Sequence, residues 1–319
     1  MAEIFSSPAI LFFILGLVGA LANAQIRIPE ALAKTLAIYL LVAIGLKGGA
    51  SISREGLGDT MMFAILGGIV LSALLPILAY ALIRSLTSFT STEAAAISAH
   101  YGSISIVTFI TASSILDDSG IGYSGSMVGV AALMEAPAIM TGLWLAMRSG
   151  ALLPNIKTKE LVRDIAFNES IFLIIGALLI GFVLNSKGLG LVAPFFIDPL
   201  QGILCLFLLD MGLKAGEGLR GDTRVLRPWS IFLGVGLPMI NAAIALGVAR
   251  FFGLGLGDAV LFATLAASAS YIAVPAAMRL ALPNVQPALY LTFSLGITFP
   301  FNVLIGISLY VWAAKLILN

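Results

Sequence analysis

Long apolar runs separated by short polar punctuation organise this sequence. A helix needs about 20 mostly apolar residues to cross the hydrocarbon core of a bilayer. Runs close to that length fall near 8–25, 29–47, 59–85, 93–116, 122–147, 167–186, 196–216, 229–252, 257–281 and 287–315. They predict ten membrane-spanning helices, an all-α polytopic membrane protein. The one extended polar segment, RSGALLPNIKTKELVRD at 148–164, lies between the fifth and sixth runs. It reads as a cytoplasmic linker over 149–166 that divides a five-helix unit at 1–148 from a second at 167–319.

Composition supports the same class. The chain is 60% hydrophobic and 10% charged, with a mean hydropathy of +1.08, whereas a soluble domain carries about 25% charged residues. The net charge of +1 points to no partner, and no basic cluster interleaved with aromatics speaks for nucleic acid. Cys205 is the single cysteine, which excludes an internal disulfide, and with one histidine beside it a structural metal site is not expected. The start MAEIFSSPAILFF lacks a basic stretch before its apolar run, so that run is expected to be a retained span rather than a cleaved signal. Lys and Arg set the orientation. With the N-terminus outside, twelve fall on the inner side (Arg27, Lys34, Arg84, Arg148, Lys157, Lys159, Arg163, Lys214, Arg220, Arg224, Arg227, Arg279) and five on the outer (Lys47, Arg54, Lys187, Arg250, Lys315). This predicts a multi-pass protein of the plasma (inner) membrane with both termini outside and Asp117–Asp118 facing outward.

The two halves echo each other. IGLKGG at 44–49 recurs as MGLKAG at 211–216, 167 residues on, and at the same offset Gly102-Ser103 falls on Ala269-Ser270. Pro76 answers Pro238, Glu93 answers Asp258 and Pro137 answers Pro300, with offsets drifting between 162 and 167. Five spans per half is odd, so the halves must be inverted in the membrane, which is the mark of secondary transporters.

Two stretches rich in small and hydroxyl residues, AHYGSISIVTF at 99–109 and AASASYIAVP at 266–275, interrupt long runs at matching places. Close helix packing through small residues is one reading. The other is a pair of broken helices crossing at the midplane, whose half-helix N-termini favour an anion. On that reading Tyr101, Gly102, Ser103, Ser105, Ala269, Ser270 and Tyr271 form the substrate cradle. His100, the only histidine, is either a packed ring or a proton carrier. Glu135 lies well inside the fifth run, where an ionisable group costs about 2.5–3.5 kcal/mol on insertion scales and is functional by default. Pro137 follows it and frees a nearby carbonyl. Glu135, Ser268, Thr298 and Asn302 are the candidate ion ligands, oxygen donors of the kind a hard cation prefers. Asp210 is the other embedded acid and stands one turn from Lys214, a natural ion-pair partner.

These stretches, with IPEALAKTLAIYLLVAIGLKGG, MEAPA and AASASYIAVPAAMRLALPNVQPALYL, resemble the sodium-dependent bicarbonate transporter family over nearly the whole chain. The resemblance implies a ten-span inverted repeat, core and gate domains each drawn from both repeats, a homotrimer, Na⁺-coupled bicarbonate uptake, and an anion lodged between Gly102-Ser103 and Ala269-Ser270. It also implies a possible small PII-like regulatory protein at the cytoplasmic face. Where the cyanobacterial members read like SSSDISGPP this chain has SASYIAVPA, so Tyr271 stands in place of an acid; where they read like SGSTM it has GSISI. The long insert between their halves is shortened here.

The expected function is therefore secondary active transport by alternating access, with bicarbonate as substrate, Na⁺ as coupling ion, membrane lipid as surroundings and no other cofactor. Coupling has a physical reason: an anion entering a negative cell climbs about 2.3 kcal/mol per 100 mV, which one Na⁺ cancels. The alternatives are a cation/proton antiporter using Glu135 and a Na⁺-coupled symporter of another small organic anion. An intramembrane enzyme built on His100 and Ser103 or Ser105 lacks a nucleophile elbow or a metal-ligand pair. A channel fits a repeat-built midplane site less well.

Overall fold

The computed structural model describes residues 7–56, 58–148, 169–219, 227–282 and 284–318. The expected linker at 149–166 lies outside them. The described residues form helices in the order α1 (Pro8–Leu21), α2 (Glu30–Glu55), α3 (Asp59–Leu86), α4 (Ser91–Ser98), α5 (Ile106–Asp118), α6 (Met127–Arg148), α7 (Glu169–Phe196), α8 (Leu200–Leu219), α9 (Pro228–Phe251), α10 (Leu256–Ala267) and α11 (Ala273–Ala281). A last helical stretch alternates α12 (Pro287–Leu291), π1 (Thr292–Thr298), α13 (Phe299–Phe301), π2 (Asn302–Gly306) and α14 (Ile307–Leu318). Among the described residues six helical stretches are long and apolar enough to cross a membrane.

Local chemistry sets many of these boundaries. Pro8, Pro228 and Pro287 open α1, α9 and α12, where a missing N–H does no harm. Thr90 and Glu93 form a reciprocal capping box at the start of α4, which gives Glu93 a structural task. Two expected boundaries are corrected. The second helix runs past Lys47 to Glu55, and the break expected at 187–195 is helical, because α7 continues to Phe196. One glycine costs a helix only about 1 kcal/mol, so the polar Asn185-Ser186-Lys187-Gly188 does not end it. The chain turns after Pro194 instead, where the N–H groups of Ile197 and Asp198 both reach Ala193 O, at 2.8 and 3.0 Å.

The helices pack closely through glycine. A Cβ on Gly16 would lie 2.1 Å from Leu209 O, so α1 meets α8 backbone to backbone; one on Gly49 would lie 1.9 Å from Leu178 O, joining α2 to α7 in the same way. Elsewhere α3 packs on α6 and α9 on α10. Large apolar side chains such as Phe172, Val183, Leu191 and Trp312 point outward, as a lipid-facing surface requires.

Candidate functional site

The runs expected at 93–116 and 257–281 are each interrupted, the first between α4 and α5 and the second between α10 and α11. The two interruptions pass each other and pair antiparallel at Tyr101 and Ala269. The Ser270 N–H is shared by His100 O at 3.0 Å and Ser103 O at 3.1 Å, and the Ser105 N–H donates to Ser268 Oγ at 2.8 Å. His100 Nδ1 meets Ser270 O; a carbonyl only accepts, so Nδ1 carries a proton. Nε2 is buried and has no hydrogen-bond partner among the described residues, and the ring stacks on Tyr290 with centroids 4.9 Å apart. Buried backbone groups must be paired, and here each break supplies the other's partners.

Prolines shape the surroundings. Pro76 has no N–H for Ser72 O, and Gly102, at φ +116°, fills the space: a Cβ there would lie 2.6 Å from Pro76 Cδ and 2.9 Å from Ser72 O. The Ser72 hydroxyl enters α6, donating to Met134 O and accepting from the Ala138 N–H at 3.1 Å, two groups that an unbroken helix would join. Pro137 leaves Leu133 O without a helical donor as well, so α6 is opened on the turn that carries Glu135. In the other half Pro238 leaves Gly234 O without its helical donor, and Thr298 Oγ1 donates to it at 2.7 Å. That uses the one hydroxyl proton of Thr298, so Tyr101 is the donor in its 2.7 Å bond to Thr298. The last carbonyls of α10 are each met by a side chain: Leu265 O by Ser268 Oγ (2.8 Å), Ala266 O by Asn241 Nδ2 (3.2 Å) and Ala267 O by Asn302 Nδ2 (3.0 Å). Tyr310 in turn donates to Asn302 Oδ1 at 2.7 Å.

Beside the crossing, Leu41, Ser105, Glu135, Ser270, Tyr271 and Ile272 help enclose a pocket of about 20 Å³, room for about one water-sized group. It sits where α5 and α11 begin, at the positive ends of both helices. Glu135 is buried in its wall, and among the described residues no cation pairs with it. A cavity of about 620 Å³, lined by Glu30, Lys34, Ala37, Lys214 and Arg279, shares Tyr271 and Ile272 with this pocket. Another of about 200 Å³, lined by Ile44, Lys47, Ser51, Arg54, Asp117 and Tyr123, lies the other way along α2. Ala37, Leu41, Ile44 and Ser51 fall on one stripe of α2 at helical spacing. The three cavities therefore follow one another along a single helix face.

The structure thus brings Ser105, Ser270, Tyr271 and Glu135 together around one pocket. Gly102 and Ala269 form the crossing itself. Ser103 is buried beside it with an unpartnered Oγ, outside the pocket lining. Tyr101, Ser268, Thr298 and Asn302 are hydrogen-bonded within the scaffold and do not line the pocket. Asp210 pairs with Lys214 at 2.7 Å. Sequence reasoning missed Ser72 and Asn241. A serine four residues before Pro76 was the signal for the first, and an asparagine within an apolar run the signal for the second.

A family model described as the Na⁺-dependent bicarbonate transporter superfamily matches residues 8–315. No curated protein matches the chain.

Proposed function

The chain belongs to the Na⁺-dependent bicarbonate transporter superfamily, and we propose that it carries bicarbonate into the cell together with Na⁺ by alternating access. Membership of a transporter family implies transport rather than catalysis. The observation that carries the mechanism is the small pocket at the helix crossing, walled by Glu135, to which no cation is paired among the described residues, and standing between two larger cavities. The N-terminal N–H groups of α5 and α11 and the hydroxyls of Ser105 and Ser270 suit an oxyanion. The carboxylate of Glu135 and the hydroxyl oxygens of Ser270 and Tyr271 suit Na⁺. At about 20 Å³ the pocket is closed to the pair in this state, so alternating access has to widen it, and once both ions are inside each offsets the charge of the other, which a low-dielectric site requires. One Na⁺ per bicarbonate also removes the roughly 2.3 kcal/mol per 100 mV that the anion alone would face.

The inverted-repeat architecture is part of this reading. Ten crossings arise when α4–α5 and α10–α11 each count as one broken span. Glu135 and Thr298 then hold equivalent places, each two residues before a proline. The pairing of α1 with α8 and of α2 with α7 supports a gate domain drawn from the first two helices of each half, the remaining helices forming the core. The cavity that reaches Tyr271 and Ile272 holds Lys34, Lys214 and Arg279, which the charge rule assigns to the inner side of the plasma membrane, with both termini outside. A homotrimer and a PII-like partner rest on the family resemblance.

Uptake of labelled bicarbonate into proteoliposomes tests the proposal. Uptake should follow an inward Na⁺ gradient and resist competition by small organic anions; inhibition by a carboxylic acid that is itself accumulated would make that acid the substrate. Glu135, with no cation paired to it among the described residues, favours one rival, a cation/proton antiporter. Proton movement driven by Na⁺ in the absence of any transported anion would establish it.

A further inference from the structure

The hydrogen bonds at the crossing grip Ser270 from one side. Its N–H is shared by His100 O and Ser103 O, and its C=O meets His100 Nδ1. His100 therefore faces Ser270 as one strand faces another, with the imidazole N–H standing where a partner strand's backbone N–H would be. Among the described residues that imidazole is the one donor to Ser270 O. Taking the imidazole away would leave the Ser270 N–H with both of its acceptors, because both are backbone carbonyls. The side chain's own effect is confined to the carbonyl.

That carbonyl belongs to the peptide unit whose other end is the Tyr271 N–H. The bond is trans, and a trans peptide is planar with its C=O and N–H pointing opposite ways. Holding one end fixes the direction of the other. Ser270, Tyr271 and Ile272 line the small pocket, and His100 stands outside the lining. A carbonyl turned to His100 thus turns the N–H away from His100, and the Tyr271 N–H has no acceptor among the described residues. Backbone donors in a protein interior need an acceptor, and a donor open beside a pocket is a place for one.

The imidazole is fixed in its turn. His100 is fully buried, and its ring lies on Tyr290 of α12 with planes 27° apart. The stack sets the plane in which the Nδ1 proton points.

We propose that His100 is a positioning residue for the transported anion: by holding Ser270 O it turns the Tyr271 N–H into the pocket, so that the second break presents a donor there rather than a carbonyl. The role rests on the reading of the chain as a bicarbonate transporter, and it adds a residue outside the pocket that sets which charge the pocket wall receives. Without the imidazole the peptide is free to turn its carbonyl inward, which repels an anion and attracts a cation.

Uptake of labelled bicarbonate into proteoliposomes at saturating Na⁺, with thermal unfolding of each purified variant, tests it. His100→Phe keeps an aromatic ring on Tyr290 and removes the donor. It should raise KM for bicarbonate about tenfold, the lower range for one hydrogen bond to a charged group. The maximal rate should stay within about twofold of the parent, as when a binding contact alone is lost, and the half-saturating Na⁺ concentration should not rise. His100→Asn, whose amide N–H reaches the place of Nδ1, should keep KM near the parental value; His100→Gln, whose amide reaches the place of Nε2, should not. A parental KM in His100→Phe would overturn the role, as would equal KM values in His100→Asn and His100→Gln. Early melting or a lower maximal rate at unchanged KM would also overturn it, since that is the mark of a structural stitch. Where His100→Phe fails to insert, His100→Asn against His100→Gln decides. A parental protein that takes up no bicarbonate overturns the transport reading together with the role; a transporting parent with an unmoved KM in the variants overturns the role alone.

Discussion

Replacing Gly102 by alanine tests whether the two helix breaks pack as described. Two penalties act at this position. Its φ of +116° is open to glycine but strained for other residues, a strain of about 1–3 kcal/mol. The added methyl would also lie 2.6 Å from Pro76 Cδ and 2.9 Å from Ser72 O. Pro76 is a ring and Ser72 O is backbone, so neither can swing aside, and overpacking of this kind costs about 1–3 kcal/mol more. The combined loss is about 2–6 kcal/mol. Gly120 provides the control: its φ is +66° and nothing lies within 4 Å of an added Cβ, so Gly120→Ala carries only the backbone strain, about 1–2 kcal/mol. Thermal unfolding of the purified protein in detergent, read beside uptake in proteoliposomes, separates the two. Gly102→Ala should melt well below Gly120→Ala and transport little, while Gly120→Ala should transport at near the parental rate. Equal melting temperatures with parental transport in both variants would refute the packing of Gly102 against the Pro76 turn.

Ser72→Ala removes the hydroxyl that separates Met134 O from Ala138 N; α6 should close its ladder there, so the variant should lose uptake while melting within a few degrees of the parent, as paired uptake and unfolding measurements would show. Ser270→Leu should fill the small pocket and abolish bicarbonate uptake in a protein that still inserts and purifies as the parent does. Tyr271→Asp places a carboxylate beside the second break. It should strengthen Na⁺ dependence and make uptake respond to an imposed membrane potential, whereas uptake by the parent should be nearly independent of potential.

The places where chain direction and local chemistry agree were legible in the sequence. The small, hydroxyl-rich stretches at 99–109 and 266–275 marked both breaks, and the burial of Glu135 followed from an acid within an apolar run. The partners were not legible. Tyr101 and Thr298 are 197 residues apart and Ser72 and Ala138 are 66 apart, and no local pattern states that an oxygen on one helix will meet a group freed by proline on another. This is why the backbone partners of the candidate ion ligands Thr298 and Asn302, Gly234 O for one and the end of α10 for the other, were not legible. The long α7 was missed for a different reason: polar residues near its middle look like a loop, while the helix needs only backbone hydrogen bonds to continue. The path along α2 was hidden because Lys34, Lys47 and Arg54 count as ordinary helix-end charges until the cavities they line are seen together.

The central claim is that Na⁺ and bicarbonate move together through the pocket that holds Glu135. Simultaneous uptake of labelled Na⁺ and labelled bicarbonate into the same proteoliposomes, for the parental protein and for Glu135→Gln, measures it most directly. The account predicts that each ion's uptake by the parent requires the other, in a fixed ratio near one to one. It predicts for Glu135→Gln a raised half-saturating Na⁺ concentration with bicarbonate uptake falling in step. Bicarbonate uptake by the parent that proceeds undiminished without Na⁺, or a Glu135→Gln variant with unaltered Na⁺ dependence, would contradict it.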